Sequence, residues 1–138
     1  MATSQGSSRG PKVVTAIAGK TLKFNVAWRN PTVNGVLGSV IDSSDYTARL
    51  QIRDAKNSRR VVLDVEEDTA PDAVLSRYDH TLEDLSTEER FLIFLGKSYT
   101  SWMPEDCIME CELVNDATPD DVVPLFTIMI KIAPQEVL

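Results

Sequence analysis

Histidine occurs once in the 138 residues and cysteine twice, and these scarcities remove most catalytic chemistry at the outset. A Ser-His-Asp or Cys-His arrangement would have to use His80, which stands between Asp79 and Thr81 in a polar stretch without a recognisable nucleophile motif. Cys107 and Cys111 are four apart, and the chain has neither CxxC nor HxxxH spacing, so a zinc site is not expected. No apolar run approaches the ~18 residues that span a bilayer, and Met1 to Pro11 is Gly/Ser-rich without an apolar signal core. The expectation is a chain neither held in a membrane nor exported by a cleaved leader. Positive charge is also short. Fourteen Lys and Arg face 21 Asp and Glu, for a net charge of -7, which argues against general affinity for nucleic acid.

What is present is ordinary core material. Apolar residues make up 43% of the chain, and a domain of this length buries roughly two-thirds of its unfolded surface, so it needs neither metal nor disulfide to fold. Residues 1–11 have the composition of a flexible arm, leaving 12–138 as one domain. The charges are unevenly placed. Residues 1–60 carry ten basic and three acidic side chains (+7), and residues 61–138 carry four basic and eighteen acidic ones (-14). Such asymmetry either interleaves when strands pair or lets one copy's basic surface meet another's acidic one.

Alternation with period two dominates the rest. Leu22, Phe24, Val26 and Trp28 alternate with Lys23, Asn25, Ala27 and Arg29, with Val13 to Ala18 a shorter strand before a Gly19-Lys20 turn. Residues 30–45 read as a loop containing Pro31, Gly35 and Gly38. Tyr46, Ala48, Leu50 and Ile52 form one face of a strand that turns through Asp54 to Ser58 into Arg59 to Val65, a hairpin. Residues 66–89 read mainly as a long acidic loop, in which Ser86 and Glu89 have capping-box spacing. The aromatic-rich run 90–95 is nevertheless better suited to a strand. Ser98 to Met103 suits one helical turn, Cys107, Met109, Cys111 and Leu113 mark another strand face, and 125–132 supplies the last strand. The expected fold is all-β: an immunoglobulin-like antiparallel β-sandwich of about six to eight strands with one short helical turn.

That order of pieces is similar to a known one. A strand opened by Gly19-Lys20-Thr21, the strand Tyr-Thr-Ala-Arg-Leu-Gln-Ile-Arg (46–53), the hairpin into Val61 to Val65, the strand 91–95, the turn 98–103, the strand ending Met-Glu-Cys-Glu-Leu (109–113) and the final strand resemble the immunoglobulin-like domain of tailed-bacteriophage virions, as at the N-terminus of baseplate upper proteins. The resemblance covers roughly residues 12–133. It implies a non-enzymatic structural protein of the tail, baseplate or connector region, made in the host cytoplasm and located in the virion. Such a protein takes no cofactor and acts by self-association and by docking to other virion proteins.

On a strand, Cys107 and Cys111 would share a face about 13 Å apart, beyond disulfide reach, and so read as buried free thiols. Glu66, Glu67 and Asp68, and Asp116 with Asp120 and Asp121, carry oxygen ligands that Ca²⁺ could use, but without EF-hand spacing. The basic turn Lys56 to Arg60 lacks the interleaved aromatics of a single-strand binder. Trp28 reads as core. The strand at 91–95 is apolar on both faces, and Ile128-Met129-Ile130 repeats the pattern, so a second face needs a cover from loop 66–89 or from another subunit. The candidate protein contacts are therefore Leu92, Phe94 and Met129 on the second faces, Trp102, and the opposed charges Arg59, Arg60, Glu66 and Glu67. Two alternatives remain. One is a capsid decoration or cement protein. The other is a ligand- or carbohydrate-binding β module using Trp102 and Tyr99.

Overall fold

Burying alternate side chains of eight strands generates the architecture. A computed structural model describes residues 12–135, so the expected arm at 1–11 lies outside the described residues. The strands are β1 (Lys12–Ile17), β2 (Leu22–Val26), β3 (Tyr46–Asp54), β4 (Asn57–Glu66), β5 (Leu75–Thr81), β6 (Thr87–Leu95), β7 (Asp106–Asn115) and β8 (Val122–Ala133). A single turn of helix, α1 (Lys97–Thr100), links β6 towards β7. One sheet has the order β1-β8-β7-β3-β4 and the other β2-β6-β5. Every pairing is antiparallel except that of β1, which runs parallel to β8. The all-β sandwich is as expected, with one edge of the larger sheet made mixed by β1.

The period-two pattern decides what lies between the sheets. Ala48, Leu50 and Ile52 of β3 and Cys107, Met109, Cys111 and Leu113 of β7 are buried and face Phe91, Ile93 and Leu95 of β6. Each large side chain removed from water in this way contributes roughly 1.5–3 kcal/mol. Aromatic pairs add directional contacts: Phe24 meets Phe126 edge-on at 5.9 Å, and Trp28 meets Tyr46 at 5.2 Å. Trp28 is thus half-buried against the core, as its place in the alternation suggested. The Thr100 hydroxyl donates to the Lys20 carbonyl at 2.8 Å, fastening α1 to the β1–β2 turn.

Two segments read as loops have more structure. Residues 75–81 form β5, hydrogen-bonded to β6 from Leu75↔Ile93 to Thr81↔Thr87. The Ser86 hydroxyl donates to Asp84 Oδ1 at 2.5 Å within the β5–β6 turn and caps no helix. The segment therefore extends the smaller sheet sideways instead of covering its outer face. Within 30–45, Val33 and Val36 exchange backbone hydrogen bonds of 3.1 and 2.9 Å around Asn34 and Gly35. Both turn residues have positive φ, 52° and 75°, as a type I′ turn requires.

Candidate contact surfaces

The outer face of the larger sheet is built by the register. Val13 lies beside Met129, Met129 beside Ile108, Ile108 beside Arg53, and Arg53 beside Val61, one row across all five strands. Met129 and Ile108 are half-buried within that row, whereas Val13 and Val61 at its two ends are exposed. Leu92 and Phe94 lie on the outer face of the other sheet, beside Asn25 and Lys23 of β2. Both are half-buried. The structure therefore places Met129 and the Leu92–Phe94 pair on opposite sides of the sandwich, and no single partner surface contains all three.

Trp102 follows α1 and is 54% exposed, its ring 6.3 Å from that of Tyr99 and tilted by 49°. Arg59 and Arg60 project from the first half of β4, and Glu66 ends the same strand. All three are exposed. Glu67 behaves differently from the residue beside it. Its carboxylate accepts from the Ala48 amide at 2.7 Å and from Arg77 at 2.8 and 3.1 Å, which commits it to the interior side of the β4–β5 connection. It offers no free charge to a partner.

Arg77 is the centre of a cluster that the sequence did not reveal. From β5 it also donates to the carbonyls of Ser43 and Tyr46, at 3.0 and 2.8 Å, and to Glu89 at 3.3 Å. Its guanidinium carbon lies 4.8 Å from the centre of the Phe91 ring. In a second cluster two arginines, Arg29 and Arg90, converge on Glu88 at 2.5 and 2.8 Å. The hydrogen bond from Arg90, with that from Arg29 adding to it, holds the Glu88 carboxyl below its ordinary value. Arg77 and Arg29 tie the smaller sheet to loops at one end of the sandwich, whereas Arg90 bonds within that sheet, to Glu88 and Asn25. No pattern in residues 73–89 distinguished Arg77, because a strand read as a loop conceals which side chains turn inward.

Another unanticipated surface is the tip at Val33, Val36 and Leu37, each more than 60% exposed. Its sequence signal was the Asn34-Gly35 dipeptide flanked by valines, the strongest short-range mark of a hairpin. Between β1 and β2 runs a groove of about 550 Å³ lined by apolar side chains including Val14, Phe24, Phe126 and Ile128, with Lys12 and Lys23 also lining it.

His80 Nδ1 is 3.3 Å from the Tyr78 hydroxyl, and its cross-strand neighbour is Glu88. Burial pushes the Cys107 thiol up to about 11 and the Cys111 thiol up to about 12, so neither is a thiolate near neutral pH. Both are free. Among the described residues no three His, Cys, Asp or Glu side chains are grouped to hold a metal. No helix among them is long and apolar enough to cross a membrane.

No family model and no curated protein matches the chain. Among solved structures it is similar to the sialic acid binding region of a Streptococcus sanguinis SK1 adhesin bound to 3'sLn, at 12% identity and a TM-score of 0.37. That match takes in 91% of this chain, which spans 29% of the adhesin chain's length.

Proposed function

We propose that this chain is a non-enzymatic structural component of a tailed-phage virion, placed in the tail, baseplate or connector region and acting by contact with itself and with neighbouring virion proteins. The observation that carries the reading is the segregation of charge on a sandwich surface. Exposed Arg59 and Arg60 lie at one end of β4 and exposed Glu66 at the other. Opposite signs kept apart on one rigid surface suit recognition between proteins, because they select orientation as well as partner. The likeness of strand order and sequence to phage immunoglobulin-like domains supplies the setting. A capsid decoration or cement role draws on the same surfaces. The test is mass spectrometry of particles purified from the genome that encodes the chain. The expected result is many copies per particle, and absence from intact particles would overturn the reading.

A second reading has one observation in its favour. Tyr99 and the exposed Trp102 place their rings 6.3 Å apart, an aromatic surface of the kind on which a ligand's apolar face can rest. A glycan array would check it. Binding that disappears in Trp102→Ala would support a carbohydrate-binding module.

A further inference from the structure

We infer that the outer edge of β4 is a self-complementary contact through which two copies of this chain pair across a twofold axis. The inference deepens, and rests on, the reading of the chain as a self-associating component. β4 is the last strand of the larger sheet, so among the described residues its outer edge has no partner. It is also where the sequence changes sign. Arg59 and Arg60 come first, Val61 and Val62 next, and Asp64 and Glu66 last.

Leu63 is the midpoint between Arg60 and Glu66. An antiparallel copy laid against the strand about that point sets Arg60 of each copy opposite Glu66 of the other, with Val61 opposite Val65 and Leu63 opposite its own copy between them. That distribution, an apolar middle with charged flanks, is the one that stable protein contacts use. A parallel arrangement would put like charges together, so the pattern selects the twofold and opposes a head-to-tail chain.

The charges are available. Among the described residues neither Arg59 nor Glu66 has an ion-pair partner within 4 Å. Arg60 reaches only Asp54, at 3.6 Å, and its side chain is 61% exposed. Asp64 is already paired with Arg49 at 2.9 Å, so Glu66 supplies the free negative charge of the acidic half. Val61, two residues from that midpoint, is 45% exposed. The β3–β4 register shifts between Ile52 and Asp54, which interrupts a regular ladder beside the basic half. The contact is accordingly made by side chains, with the irregular segment presenting Arg59 and Arg60, and it is not a continuous ten-stranded sheet.

The experiment uses the full chain, an Arg59→Glu/Arg60→Glu double variant and a Glu66→Arg variant. Each is examined by sedimentation velocity and native mass spectrometry at about 50 mM and about 500 mM salt. The expected result is a dimer of the unaltered chain that weakens in high salt. Each variant should raise the dimer dissociation constant at least about tenfold, while an equimolar mixture of the two variants forms a heterodimer. The substituted side chains are exposed, and recovery in the mixture would show that both variants are folded. Variants that dimerise as well as the unaltered chain would overturn the β4 contact and leave self-association standing. An unaltered chain that stays monomeric at both salts would also overturn it. Neither outcome touches presence in the particle, which purified virions decide separately.

Discussion

The cluster around Arg77 and the charges along β4 are made of the same side chains and do different work. Arg77 is 18% exposed, lies against an aromatic ring and uses its donors on two carboxylates and two backbone carbonyls. Arg59 and Arg60 stand in water at the edge of a sheet. Desolvation separates the two groups. Where water is scarce a guanidinium must have its hydrogen bonds supplied by the protein, and the cluster becomes part of the fold. Where water is plentiful an ion pair adds little to stability, and the charge is free to choose a partner.

Removing the floor of the inner cluster should have the largest effect. Phe91 is buried in the core and lies beneath Arg77, so Phe91→Ala is expected to lower unfolding free energy by about 3–5 kcal/mol in urea titration. Loss of less than 1 kcal/mol would mean that the two sheets meet elsewhere. Next comes Arg77→Met, which keeps the apolar stem, strips Glu67 of its ion pair and leaves it only the Ala48 amide, and takes one donor from the Ser43 and Tyr46 carbonyls. A cost of about 2–4 kcal/mol is expected, below the figure for a fully buried ion because both partners keep some contact with water. A cost as small as that of an exposed pair would erase the distinction between the two groups.

Acidification sharpens the comparison. Glu88 is held below its ordinary 4.5, first by Arg90 and then by Arg29, so the unfolded chain takes up a proton there before the folded one does. Its contribution is complete above about pH 4.5 and is lost as pH falls through the lowered value. Thermal unfolding between pH 6 and pH 3 should therefore show a shallower acid slope for Glu88→Gln than for the unaltered chain, and equal slopes would contradict the assignment. The smallest effect belongs to the exposed pair on β3 and β4. Arg49→Ala should cost less than about 1 kcal/mol, with the loss shrinking further in high salt, although Arg49 holds the Asp64 carboxyl down. A loss of several kcal/mol would place Arg49 with Arg77.

Local pattern made some elements readable in advance and left others hidden. In β3, β6 and β7 every second residue is buried, so Leu50, Ile93 and Met109 could be assigned before any fold was known, although Leu92, Phe94 and Ile108 make the other faces of β6 and β7 partly apolar as well. β5 could not be assigned in that way. It is an edge strand whose inward-facing Arg77 is satisfied by partners on β6, on β3 and on two connections, and an arginine at an inward position reads as a loop residue. The same blindness misjudged Glu67, adjacent in sequence to an exposed carboxylate and opposite in role.

The amino-acid sequence by itself determined the fold class, the turn at Gly19, the buried state of both thiols and the reversal of charge sign within β4, because each depends on a residue and its near neighbours. Only the tertiary structure decided that Met129 and Phe94 face opposite ways, that Glu67 is bound and Glu66 free, and that β4 is an edge. Those are statements about which strands lie side by side. Pairing is set by non-local burial and register, and no window of sequence contains it.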